Sequence, residues 1–195
     1  MRVRWIAVVL ALLAAGCLFR NTPDTRFYRP ASAALDGSVE PPPVGEGIPL
    51  RLRAVQGTPL LRERIVWRAS SVEYGLYDQR RWTELPASYV QRALEVALRA
   101  TPGIRLTGAP SAAVLRVEVV AFDEVLAPAR VAAVSLEVEL VDSEQLRLID
   151  RTFSAEAPIA NERAAATAVA MGKALDEAVA AVAGAVAGTL RDDER

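Results

Sequence analysis

An α/β domain is predicted by three observations. Several segments alternate apolar and polar residues with the period of a half-buried strand. One amphipathic helix interrupts them, and a long apolar-striped helix closes the chain. Leu50–Val55 alternates apolar and basic residues, and Gly57, Thr58 and Pro59 break it. Ile65–Ala69 is a second strand; residues 70–78, with Tyr74 and Tyr77, continue as strand or turn. Ser88-Tyr89-Val90-Gln91 has the spacing of a capping box. From it a helix places Val90, Leu94 and Ala97 on one face, with Tyr89, Ala93 and Val96 beside them, and stops at Thr101-Pro102-Gly103.

Ile104–Leu106 is a short strand. In Ala113–Phe122, Leu115, Val117, Val119 and Ala121 are expected to share the buried face, although Val120 and Phe122 dilute the polar one. Val131–Val141 alternates Val134, Leu136, Val138 and Leu140 with Ser135, Glu137 and Glu139. It turns at Asp142-Ser143-Glu144 into a hairpin with Leu146–Phe153. Leu148 and Ile149 compete for the buried face of that return strand, since one step of register exchanges them. Asn161 is placed to cap a last helix reaching about Leu190. Met171, Leu175, Val179, Val182 and Val186 form its stripe. Gly184 and Gly188 have the spacing that lets backbones approach closely. The uncharged run 178–190 is shorter than the roughly 20 residues of a membrane span, so a helix packed on a sheet is expected.

The start of the chain has a different character. A basic Met1–Arg4 precedes the apolar segment Trp5–Leu13, and small residues follow at 14–16. This is the pattern of a secretory signal peptide, residues 1–16. The next residue, Cys17, is the sole cysteine. Ala14-Ala15-Gly16-Cys17 resembles a bacterial lipobox, with alanine where leucine is commonest. Cys17 is therefore the expected lipidation site, carrying a diacylglyceryl group and an acyl chain such as palmitate. At about 0.8 kcal/mol per buried methylene, several chains anchor firmly where one does not. Leu18, not aspartate, follows the cysteine, which favours the periplasmic face of the outer membrane. Residues 17–47 contain Pro41-Pro42-Pro43 and three glycines, and read as a tether with a candidate short strand at Arg26–Arg29. The domain occupies 48–190, and 191–195 is a charged tail.

Composition excludes several chemistries. With no histidine, and one cysteine assigned to lipid, the usual zinc sites, His-activated nucleophiles and disulfides are absent from the reading. No metal or other cofactor is expected. The full chain has a formal charge of -1, and removing Arg2 and Arg4 with the leader brings it to about −3, so nucleic acid is not an expected partner. An enzyme would need facing carboxylates, for which Asp123 with Glu124, or Glu137 with Glu139, are the candidates. Neither pair shows acid–base logic in the sequence.

Several segments in order look like one family. They are the lipobox, Pro59–Arg62 leading into Arg64–Arg68, Val72-Glu73-Tyr74, Arg81–Pro86, the helix, Leu115–Val119, Asp150–Phe153 and the terminal helix. The chain resembles the ABC-type transport auxiliary lipoproteins, which include the third component of the paraquat-inducible Pqi system. Thr83 and Leu85 depart mildly from the family's Trp-Ala-Glu-Pro pattern. The resemblance implies a two-layer sandwich, two main helices on a mostly antiparallel mixed sheet. It implies a non-catalytic lipoprotein working with an MCE-domain protein and ABC transporter subunits in lipid transport between membranes, and a homo-oligomer would fit such a machine. Tyr74, Tyr77, Arg81 and Trp82 are the candidate partner contacts, because aromatics and arginine dominate interface hot spots. Packing of Trp82 and Tyr74 against the first helix is the structural alternative. Another outer-membrane assembly lipoprotein, LptE-like or secretin-pilot-like, would share the anchor and a small domain.

Overall fold

The computed structural model describes residues 24–37 and 47–193. The leader, Cys17 and the Pro41–Pro43 segment lie outside these residues. The domain has two layers, a nine-stranded mixed sheet and two helices packed on it. Strands β1 to β9 are Arg26–Tyr28, Ile48–Leu52, Gln56–Gly57, Arg64–Arg68, Tyr74–Trp82, Ile104–Leu106, Ala113–Val125, Val131–Val141 and Arg147–Pro158. Helix α1 is Pro86–Ala100 and α2 is Ala164–Asp193.

β7 is the spine of the sheet. Along one edge it pairs antiparallel with β8, which pairs antiparallel with β9. Its other edge receives three short parallel segments in turn: β2 at 113–115, β3 at 118–119 and β4 at 123–125. The strand expected over Leu50–Val55 ends earlier, at Leu52, and Gly57, expected to break it, lies inside β3. β6 extends the sheet beyond β2; β5 runs antiparallel to β4, and β1 parallel to β5. Residues assigned by composition to the tether thus form an edge strand of the domain. Beyond β1 the chain stays docked on α2. Ala31 N donates to Ala168 O at 3.1 Å, Ser32 Oγ to Asp176 Oδ1 at 2.5 Å and Ala33 N to Asp176 Oδ2 at 2.9 Å.

The buried face of β7 differs from the sequence expectation. Leu115, Val117 and Val119 pair with Leu140, Val138 and Leu136 on the helix side. A register shift between Val119 and Ala121 inserts Val120 as an extra residue, so Phe122 and Glu124 follow them inward instead of Ala121. Ile149 pairs with Leu140 and is buried, which settles its competition with Leu148.

Two features of the helices also depart from expectation. α1 begins at Pro86, behind Leu85, with no side-chain cap. Proline's fixed φ suits the first helical position, so the helix starts before Ser88. Gln91 instead accepts from Val55 N at 2.9 Å and donates to Glu95 at 2.7 Å. Asn161 Oδ1 accepts from Arg163 N at 3.0 Å just before α2, whose predicted stripe is wholly buried. Close approach falls at Gly172, where a Cβ would stand 1.9 Å from Ala31 O; Gly184 and Gly188 have open space. No helix among the described residues is long and apolar enough to cross a membrane.

These contacts predict opposite outcomes for two glycine substitutions. Gly172→Ala should lower the unfolding midpoint and speed hydrogen exchange at 31–36. Gly184→Ala should be neutral or stabilising by up to about 1 kcal/mol, the helix preference for alanine over glycine.

Candidate functional site

The candidate contact residues all come from β5, but the strand does not gather them on one face. Trp82 is 1% exposed. Its ring meets Phe122 edge-on at 5.4 Å and Tyr89 at 6.5 Å, so it is a core residue joining β5, β7 and α1. The Tyr89 hydroxyl faces Thr83 Oγ1 at 2.7 Å and accepts from Glu84 N at 3.1 Å. This fixes the turn between β5 and α1. The structure therefore places Trp82 inside the domain, as the packing alternative expects of it, and not on a docking surface.

Strand alternation sends Arg81 to the face opposite Trp82, where it is half-buried and opposes Arg64 across the β4–β5 pair. Tyr74 is 49% exposed at the start of β5, beside Arg68. It shares the uncovered sheet face with Asp123, because Arg68 pairs with Tyr74 and Val66 with both Leu76 and Asp123. Tyr77 lies toward the helix side, with the Arg80 guanidinium 4.3 Å above its ring.

Around Tyr74 and Tyr77 the carboxyl end of β7 carries two ion pairs, one on each face. Glu124, fully buried, accepts from Arg130 at 2.5 Å and from Thr167 Oγ1 at 3.1 Å. That ties the start of β8 to the first turn of α2. Burial, together with the Glu124 charge, raises the Tyr77 phenol above its ordinary pKa against the pull of Arg80 and Arg130. On the other face Asp123, 2% exposed, accepts from Arg68 Nε at 2.7 Å, while its Oδ1 has no partner. Burial pushes its carboxyl pKa up, and Glu156 adds to this; the Arg68 hydrogen bond and charge offset only part. Neighbouring guanidinium groups were not legible in sequence as pairs, because Arg68 and Arg130 reach these carboxylates only through the sheet register.

Asp123 and Glu124 project to opposite faces of β7 and cannot flank one substrate. Glu137 and Glu139 share the uncovered face, at an open groove of about 430 Å³ with Arg53, Gln56, Arg116 and Glu118. Glu139 is held by Arg116 at 2.6 Å and Arg147 at 3.3 Å, as in a solvated charge ladder. Among the described residues no group of three or more His, Cys, Asp or Glu is placed to hold a metal ion.

A family model, ABC-type transport auxiliary lipoprotein component, matches residues 37–183. Among solved structures, protein XCC0632 from Xanthomonas campestris is similar with a TM-score of 0.73 and 21% identity, over 87% of this chain and 99% of that one. An uncharacterized protein matches at 0.62 and 17%, over 86% and 99% of the two chains. The hypothetical protein CT253 from Chlamydia trachomatis matches at 0.51 and 12%, over 74% and 99%. At these identities the likeness is one of fold. No curated protein matches the chain.

Trp82→Ala should cost about 3–5 kcal/mol in denaturant unfolding, the range for a buried large aromatic. For Asp123 the pH dependence has a defined sign. Its folded carboxyl keeps its proton to higher pH than the unfolded one, whose ordinary value is near 3.8. As pH rises from that value through the raised one, the wild type should therefore lose stability relative to Asp123→Asn. Unfolding midpoints of both proteins across pH measure this difference; a flat or rising difference would contradict the assignment.

Proposed function

The chain belongs to the family of ABC-type transport auxiliary lipoprotein components, and from that premise we propose that it is a lipid-anchored, non-catalytic part of an MCE/ABC-type transport system. It docks the transporter at the periplasmic face of the outer membrane, where lipid moves between the two membranes. The observation that carries this reading is the family match across most of the chain, which includes α1, the spine strand and α2 as far as residue 183. The lipobox at Cys17 supplies the anchor, and Leu18 favours the outer membrane over the inner.

Asp123 and Glu124 point to opposite faces of β7, and the Glu118–Glu137–Glu139 group lies in an open, arginine-paired charge ladder, which supports a binding role over a chemical one. Tyr74 and Arg81, on β5 and away from the helix layer, remain the proposed partner contacts, with Tyr77 at the border of that layer. Arginine and tyrosine are the residues whose truncation costs most at interfaces. Trp82 contributes by holding β5 in place.

Acylation and partnership are separable in one preparation. Cells fed labelled palmitate should label the wild type and leave Cys17→Ser unlabelled. The acylated protein purified from membranes in mild detergent should bring down an MCE-domain protein and ABC subunits. Arg81→Glu should reduce that recovery by about tenfold, equivalent to ~1.4 kcal/mol, with an unchanged melting temperature. Recovery of a large β-barrel without an MCE-domain protein would assign the chain to another outer-membrane assembly instead.

A further inference from the structure

An open pocket of about 590 Å³ lies between Tyr77, Arg80, Leu126, Arg130 and Glu162. Its two guanidinium groups differ in circumstance. Arg130 is committed to buried Glu124, with exposed Glu162 at 3.7 Å. Arg80 rests on the Tyr77 ring, and its buried NH1 has no hydrogen-bond partner. No carboxylate lies within ion-pair distance of Arg80 among the described residues, and across the β1–β5 pair it faces another arginine, Arg26. Like charges on neighbouring strands repel, and Arg80 has no carboxylate beside it to offset this. A guanidinium oriented by an aromatic ring is suited to bidentate contact with phosphate oxygens.

Leu126 is the aliphatic member of the pocket lining, across from exposed Glu162, and further exposed apolar residues lie near it. Leu126 N is bonded to Arg68 O, which sets that loop beside the β4–β5 hairpin. The hairpin carries Val72, 89% exposed, and Tyr74. Phe27 is exposed on β1, next to Arg26. Because β1 runs parallel to β5, the chain enters the domain from this end. Arg26 is only nine positions after Cys17, a span of at most about 32 Å when extended.

We propose that this pocket binds the phosphate of an anionic lipid headgroup, with Val72 and Leu126 resting in the interfacial layer, so that this end of the sheet lies on the bilayer. Arginine for the phosphate beside aliphatic residues for the interface is the chemistry of a membrane surface. An acidic protein segment would use the arginine but leave the exposed aliphatic residues without a counterpart. The tether from Cys17 argues for the bilayer on the same ground. In that respect the inference rests on the anchored reading above, although the pocket chemistry does not require it.

The test uses residues 17–195 carrying Cys17→Ser, which retain every described element and carry no acyl chain. The protein should co-sediment with vesicles containing phosphatidylglycerol and not with pure phosphatidylcholine. Arg80→Gln should weaken sedimentation by about tenfold, the loss of one charge-assisted contact. Arg80→Lys should recover part of it. The exposed pair Val72→Ser with Leu126→Ser, which leaves the pocket cations in place, should weaken vesicle binding with the melting temperature unchanged. Vesicle binding indifferent to Arg80→Gln and to the exposed pair would overturn the proposal. So would saturation by inorganic phosphate without vesicle binding. Failure of palmitate labelling, by contrast, would remove the anchor and leave this result standing.

Discussion

The extra residue at Val120 turns the second half of β7 by one position, and every later side chain of that strand changes face. Without it Ala121 and Asp123 would point at the helices, and Phe122 and Glu124 would point away. With it Phe122 closes an aromatic cluster with Trp82 and Tyr89, the latter stacked at 6.4 Å. Those three rings join β5, β7 and α1. The same shift sends Glu124 to Thr167 at the start of α2 and leaves Asp123 for Arg68. One irregularity in the ladder therefore decides how both helices sit on the sheet and what the carboxyl end of β7 presents.

That end of the sheet concentrates the molecule's buried charge. Removing one partner of a buried pair commonly costs about 3–5 kcal/mol, whereas keeping the pair adds little net stability over an apolar replacement. The Glu124–Arg130–Thr167 set serves position more than stability: it aligns the 126–130 loop with α2, and that loop supplies Leu126 and Arg130 to the pocket. Arg80 stands beside this set without a carboxylate of its own. The opposite end, where β2, β6 and the 142–146 turn lie, has no comparable arrangement among the described residues; Asp142 there is used to hold its own turn.

Much of the architecture was legible because periodicity reports burial directly. The β8 alternation and the α2 stripe survive unchanged in the structure, since each has one covered face over its whole length. Residues 26–36 were harder to read. They sit in a stretch whose Gly37, Pro41–Pro43 and further glycines read as a linker, and beyond the candidate strand at Arg26–Arg29 nothing local signals their partners, β5 and α2, which are far away in sequence. The bulge was visible only as an anomaly, two apolar residues on a polar face. The capping-box pattern at Ser88 lost to Pro86, because a proline at the first helical position needs no cap to begin the helix. The glycine pair in α2 had a familiar spacing but no neighbour; close contact belongs to Gly172, whose partner is the docked N-terminal segment. Among the contact candidates, composition alone could not separate a buried tryptophan from an exposed tyrosine eight residues earlier.

An anchored chain that enters its domain at the pocket end makes a simple mechanical arrangement. In the proposed arrangement a lipid at Cys17 limits the distance from the bilayer, the pocket end meets headgroups, and the remaining surfaces of β5 are left for the transporter. The most direct measurement is hydrogen exchange on the acylated protein, in vesicles of anionic lipid and in detergent. The account predicts slower exchange in vesicles at residues 69–80 and 126–130, with α2 unchanged. Protection confined to the outer face of α2, or none at the pocket end, would contradict it.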